Sequence, residues 1–169
     1  NPVTYTRRFG STIYAPKLAI GGYIFNGFTG WPTVTQDGKQ VPAESTTLTQ
    51  AATYVSAWTA DPNTPYRVEH YIQRISGSGY LLDSVEQRSG ETNTSVTLAG
   101  LASPSGGLTY KGGTVEGKSV TETKIKGDGN LVIKLYYDRN VFDITYRIGT
   151  DTHVTVQVCY GASITAPEA

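Results

Sequence analysis

Two histidines, one cysteine and fourteen Asp and Glu residues supply the acid–base and nucleophilic groups of this 169-residue sequence. His70 follows Glu69, and His153 lies close to Asp151 at the start of a β-prone stretch. Adjacent residues on a strand point to opposite faces, so Glu69 cannot orient His70 as a general base within its own segment. Cys159 with a distant histidine would give a nucleophile–base pair, whereas alone it would be an inert thiol or the partner in an intermolecular disulfide. Asp128-Gly129-Asn130 invites a calcium reading, but an EF-type loop needs further carboxylates and a closing glutamate at fixed spacing. Between two strands, the same residues are expected to make a hairpin turn. Gly106-Gly107 and Gly112-Gly113 form no phosphate-binding G-x-x-x-x-G-K-[ST] pattern. Asn93-Thr94-Ser95 is a formal glycosylation acceptor. Lys126, Lys134, Asn130 and Asp138 lie near strands, where a Lys–Asn or Lys–Asp isopeptide bond would suit a load-bearing protein. No acid–base pair, nucleophile–base pair or metal cluster emerges, so no enzyme activity, metal or cofactor is expected.

Aromatic residues offer a different chemistry. Tyr71, Tyr80, Tyr110, Tyr136, Tyr137 and Trp31 could line a carbohydrate or peptide groove, with Tyr71, Tyr80, Tyr110 and Tyr137 the candidates to face a ligand. The competing role is structural, as cross-strand pairs and core residues.

The elements that must position these groups are strands. The sequence has 24 threonines, 19 glycines and 12 tyrosines, and only 17% of its residues are charged. Branched and aromatic side chains of this kind pack well on a pleated sheet. Fourteen basic residues balance fourteen acidic ones, so charge gives no reason to expect nucleic acid or an acidic membrane as partner. No apolar run is long enough to span a bilayer, and Asn1-Pro2-Val3 does not open a signal peptide. One cysteine excludes a disulfide framework within the chain.

Internal repetition sets the organisation. Residues 3–17, VTYTRRFGSTIYAPK, match residues 154–168, VTVQVCYGASITAPE, without gaps at an offset of 151. Val3, Thr4, Gly10, Ile13, Ala15 and Pro16 recur as Val154, Thr155, Gly161, Ile164, Ala166 and Pro167, and Phe9 becomes Tyr160. Cys159 falls opposite Arg8, so the repeat does not require a thiol there. The chain is expected to hold one period of about 151 residues and the opening of the next, as in a tandem array. Three segments follow: 1–62, 63–139 and 140–169. Asp61 to Pro65 reads as a short stiff linker, and Ser76 to Gly79 and Lys126 to Asn130 as tight turns. Leu131 to Tyr137 is the strongest strand, and Val141 to Ile148 forms a hairpin with His153 to Cys159. Short helical turns are expected near 46–52 and 92–98.

Gly22-Tyr23-Ile24-Phe25-Asn26-Gly27-Phe28-Thr29-Gly30-Trp31, followed by the strand Tyr54 to Trp58, resembles the Listeria–Bacteroides repeat, the internalin B-repeat module. Phe28-Thr29 stretches the family's GYxFxGW core and leaves the strand register open. The middle segment opens Tyr66-Arg67-Val68-Glu69-His70-Tyr71 and closes Leu131 to Asn140. It is similar to mucin-binding-protein-like (MucBP-like) repeats. These resemblances imply β-grasp, ubiquitin-like modules in tandem, a β-rich α+β class, on secreted or cell-wall-anchored bacterial surface proteins. They carry over no catalytic residues.

The first repeat lacks the strand equivalent to Val141–Ile148, and an unpaired strand edge is a template for another chain. The expectation is a window of a longer tandem protein or strand addition between chains. Val141, Phe142, Ile144, Tyr146, Ile148, Val3 and Tyr5 are the residues expected to pair modules. The partners implied are adjacent repeats or identical subunits, with host mucin, glycan or surface protein as the alternative. The expected function is a non-enzymatic stalk or fibre in adhesion outside the bacterial cell.

Overall fold

Threonine, valine and tyrosine recur between small turn residues, and the chain folds accordingly into strands. The computed structural model describes residues 4–165, apart from the side chains of 148, 152 and 153, as a β-rich protein with several open sheets. Val3, Ala166 and Pro167 lie outside the described residues, as do the side chains of Ile148 and His153. The chain divides into two units, Asn1–Asp61 and Pro62–Ala169.

The first unit contains β1 (Thr12–Tyr14), β2 (Tyr23–Thr29), β3 (Thr33–Gln36), β4 (Lys39–Pro42), β5 (Ser45–Thr47) and β6 (Val55–Ala60). They pair as antiparallel couples, β1 with β5, β2 with β6 and β3 with β4. Asp37 and Gly38 both take positive φ, 51° and 75°, which closes the β3–β4 hairpin in the sense that matches strand twist. The stretched Phe25–Trp31 segment resolves into a bulge. Phe25 lies opposite Trp58 and Phe28 opposite Ser56, so Asn26 and Gly27 share one partner residue. Gly27 has φ 91°, where a side chain would be strained. No helix forms over 46–52, because Leu48 bonds across the unit to Gly10 and Ser11 instead.

The second unit opens with β7 (Thr64–Gln73), β8 (Tyr80–Gly90) and β9 (Ser95–Thr97), followed by the one-turn helix α1 (Leu98–Leu101). Then come β10 (Leu108–Val115), β11 (Lys118–Val120), β12 (Glu122–Lys124), β13 (Val132–Arg139), β14 (Val141–Ile148) and β15 (Asp151–Cys159). Five of them form one sheet in the order β11-β10-β13-β7-β8. Its centre, β7 beside β13, is parallel, and the other pairs are antiparallel. β9 and β12 pair separately. The expected linker is shorter than its composition suggests. Thr64 and Pro65 already belong to β7, opposite Gly90 and Ser89. The helical turn begins at Leu98, after β9 rather than across 92–98.

Alternation along β7 and β13 builds the core. Val68, Ile133 and Leu135 are fully buried with Leu98 of α1, and Tyr66, Leu101, Ile125, Leu131 and Tyr137 close around them. Val132, by contrast, points to the other face and is half-buried. Gly113 allows the close approach: a Cβ there would lie 2.7 Å from both Leu98 Cδ2 and the Lys134 carbonyl oxygen. β14 and β15 form an antiparallel hairpin joined to β13 through Asn140 alone. Its base is fixed by Asn140 N–H donating to the Gly107 carbonyl, and by Tyr160 N–H donating to the Asn140 carbonyl, both at 2.8 Å. Arg139 adds a 2.8 Å bond from Nη1 to the Tyr160 carbonyl.

Candidate functional site

Residues of β7 and β13 that do not enter the core meet on the opposite face of the five-stranded sheet. The parallel register sets Glu69 beside Lys134 and Tyr71 beside Tyr136, and the β7–β8 register brings Tyr80 beside Gln73. Tyr136 is the centre of the group, with ring centroids 5.4 Å from Tyr71 and 5.0 Å from Tyr80. A groove of about 760 Å³ runs from Tyr80 and Tyr136 across the β10 bulge at Lys111-Gly112 to Ser119 and Glu122.

The polar groups of this face are paired. Tyr80 donates to Asp138 Oδ1 at 2.6 Å, and Lys111 Nζ lies 3.3 Å from Asp138 Oδ2. That hydrogen bond, with burial and the carboxylate charge adding to it, pushes the Tyr80 phenol up to about 12. Tyr71 donates to Glu69 Oε2 at 2.9 Å, and Arg67 Nη2 lies 2.7 Å from Glu69 Oε1. Lys134 Nζ stands 3.8 Å from the same carboxylate and 5.4 Å from the Tyr71 ring centroid. Tyrosine faces beside anchored charges can stack on a ring with C–H faces while hydrogen-bonding its hydroxyls.

Of the tyrosines singled out in the sequence, the fold thus gathers Tyr71, Tyr80 and Tyr136, the first two from among those expected to face a ligand. Tyr110 and Tyr137 go to the other side. Tyr137 is 3% exposed and packs edge-on against Tyr110, their centroids 6.0 Å apart. Burial raises both phenols, and Tyr137 offers no surface to a ligand. Lys111, Thr114 and Asp138 join the outer face through pairings that no local spacing reveals. Alternation along β7 is the local signal that puts Arg67, Glu69 and Tyr71 on one face.

Of the acid–base and nucleophile candidates, the side chains of His70 and Cys159 are described and that of His153 is not. His70 is buried, with Nδ1 2.9 Å from the Tyr137 hydroxyl and Nε2 3.2 Å from Glu86 Oε1, off the line of a hydrogen bond. Arg88 donates from Nε to Glu86 and, with His70 adding to it, draws the Glu86 carboxyl below its ordinary range. Cys159 is a free, half-buried thiol at the end of β15. Lys126 pairs with Glu116 rather than with Asn130, whose backbone N–H is taken by Asp128 in a turn; it is not the hairpin expected, because β12 pairs with β9 and β13 with β7 and β10. Among the described residues no cluster of three or more His, Cys, Asp or Glu could hold a metal ion. No helix among them is long and apolar enough to cross a membrane.

The residues named for module pairing divide between the two units. Val141, Phe142, Ile144 and Tyr146 lie in β14, opposite Cys159, Val158, Val156 and Val154. Ile148 closes the ladder opposite Asp151. Tyr5 belongs to a stretch, residues 4–8, that joins no strand, and it is 73% exposed. The two sequence copies nevertheless share a backbone turn. Ser11 N–H donates to the Arg8 carbonyl at 3.1 Å, and Ala162 N–H to the Cys159 carbonyl at 3.0 Å. Gly10 and Gly161 occupy the third turn position with φ 77° and 79°, the sign that a type II turn requires there. No protein-family model, curated protein or solved structure matches this chain.

Proposed function

We propose that this chain is a non-enzymatic structural segment of an extracellular bacterial surface protein or filament, a stalk or fibre in adhesion built from tandem modules. The observation that carries this reading is the turn repeated at an offset of 151 residues, with the same hydrogen bond and the same positive-φ glycine in both copies. A match in letters alone could be shared composition, whereas a match that also repeats local geometry supports a duplicated module. The modules are of Listeria–Bacteroides and MucBP-like type, and the second unit is a β-grasp. Its sheet order, with a parallel central pair and a helical turn between the second and third strands of the sheet, supports that assignment. Asn140, the single residue between β13 and β14, makes the connection out of the sheet short and hydrogen-bonded at both ends.

The direct test is the mass of the native polypeptide, by denaturing electrophoresis with mass spectrometry. A mass many times 18.2 kDa, with peptides recurring at the same interval, is expected of a tandem stalk. A discrete, monomeric species near 18.2 kDa would overturn the stalk.

The second reading is a mucin- or glycan-binding module, favoured by the Tyr71–Tyr136–Tyr80 group beside its groove. A spacer should give no signal on a glycan array. A signal lost in Tyr136→Ala would move this reading to first place.

A further inference from the structure

β8 is the last strand of the five-stranded sheet, and among the described residues no strand pairs with its outer edge. Residues 81–85 and 87–89 are exposed, so the edge is open to solvent. Such an edge offers a row of unpaired N–H and C=O groups to another strand. Its regular part is bounded by a bulge: His70 faces Ser84 and Tyr71 faces Leu82, which leaves Asp83 without a partner and residues 84–90 as an even run. The backbone of β7 shows which groups of that run turn outward. Pro65 has no N–H, and Arg67 N–H donates to the Leu131 carbonyl on the side of β13. Ser89 and Gln87, opposite these two residues, therefore turn their own N–H and C=O away from β7, as does Val85 opposite Glu69. Gln87 is the centre of the run. Glu86 and Arg88 flank it on one face, with Arg88 Nη2 2.6 Å from Glu86 Oε2. Charges on an edge strand ordinarily discourage pairing. Here they have opposite signs and lie symmetrically about Gln87, so one register makes the edge complementary to itself.

We propose that two copies of this chain pair edge to edge through β8, antiparallel, with Gln87 on the two-fold axis and Glu86 of each copy facing Arg88 of the other. Val85 then faces Ser89, and Ser84 faces Gly90. The outward-turned residues Val85, Gln87 and Ser89 exchange the backbone hydrogen bonds. Glu86 and Arg88 fall on the closer, non-hydrogen-bonded pairs, where side chains interact most strongly. Moving the axis by one residue would set Glu86 against Glu86 or Arg88 against Arg88, so the charges fix the register. No existing pairing has to open, because β7 occupies only the inner edge of β8. The contact uses the same patch on both copies and closes as a dimer. In the stalk proposed above it joins two stalks side by side, but the pairing does not depend on that reading.

The test uses the 169-residue chain with Cys159→Ser, so that no native thiol takes part. Sedimentation equilibrium over a concentration series should show a monomer–dimer equilibrium. Glu86→Arg sets like charges opposite each other on both sides of the axis and should weaken the dimer by about tenfold or more. The double variant Glu86→Arg with Arg88→Glu exchanges the two charges and should restore it, a rescue that damage to the strand would not give. Cross-linking reads the register. Gln87→Cys should link to its own copy under mild oxidation, because residues opposite each other in a hydrogen-bonded pair have Cα atoms about 5.5 Å apart, within the reach of a disulfide. Val85→Cys alone should link about tenfold less, since its counterpart lies about 13 Å along the ladder, whereas Val85→Cys mixed with Ser89→Cys should link. A chain that stays monomeric throughout the series would overturn the proposal. So would a dimer indifferent to Glu86→Arg, or equal self-linking from positions 85 and 87.

Discussion

The two units spend similar residue types on different kinds of order. Among the described residues of the first, strands pair two by two, and the buried apolar residues are Trp31 and Ala43. An isolated two-stranded ribbon is marginal in water, because one layer of pairing covers neither face. What holds this unit is a run of aromatic contacts: Phe25 with Trp58 at 5.0 Å, Phe28 with Trp31 at 6.2 Å and Trp31 with Tyr54 at 4.8 Å. The second unit brings β7 and β13, whose paired residues are 65 apart in sequence, into one parallel pair and closes a core over it. The difference teaches that non-local pairing, more than β propensity, separates a unit with its own packed core from one held by paired ribbons and aromatic contacts.

The sharpest way to break this contrast is at the centre of β13. Leu135→Asp buries an unpaired charge among Val68, Leu98 and Ile133, and should cost more than about 4 kcal/mol, enough to unfold the second unit. Val132→Asp, on the half-exposed face of the same strand, should cost about 1 kcal/mol or less. Hydrogen exchange of β7 and β13 amides reads the first effect, while amides of β2 and β6 should keep their protection. Equal losses from the two variants would mean that the faces are assigned the wrong way round.

Gly113→Val tests the same core from the side of the helical turn. Its Cβ would meet both Leu98 and the Lys134 carbonyl, so overpacking of about 1–3 kcal/mol is expected in chemical denaturation. The counterpart in the first unit is Trp31→Phe. It keeps an aromatic ring but removes the 2.7 Å hydrogen bond from Nε1 to the Ala43 carbonyl. About 1 kcal/mol should be lost, read as faster exchange in β2 and β6 with β7 and β13 unchanged.

The sequence made some of this legible and concealed the rest. Alternation over 66–73 suffices to put Tyr66, Val68 and His70 on one face of β7, and small residues marked the β7–β8 turn at Ser76–Gly79; those of Lys126 to Asn130 also turn the chain, but between strands that do not pair. Both signals are local, acting within a few residues. The same alternation was silent about which strand lies beside which. Tyr71, Tyr80 and Tyr110 looked equivalent as letters, and only the β7–β13 and β10–β13 registers send Tyr110 to the core side and leave the others outside. The insertion at Phe28-Thr29 was visible as a stretched motif. Its accommodation at Asn26-Gly27 depended on a positive φ that glycine supplies.

The smallest expected effect separates the two faces of the second unit by pH. Tyr80 on the outer face has its phenol raised to about 12 chiefly by the hydrogen bond to Asp138, whereas Tyr137 on the core side is raised first by burial. An unfolded tyrosine titrates near 10, so between about pH 10 and 12 the unfolded chain loses the Tyr80 proton while the folded chain keeps it. The unfolded state then binds fewer protons, and linkage makes stability fall as pH rises through that window. The contribution is intact below the unfolded value and gone above the folded one. Tyr80→Phe should remove this part of the alkaline slope, and Asp138→Asn should bring the Tyr80 titration, followed by tyrosinate absorbance, back toward 10. A Tyr80 titration unmoved in Asp138→Asn would mean that burial, not the carboxylate, sets it, and the outer face would then resemble the core side more closely than its hydrogen bonds indicate.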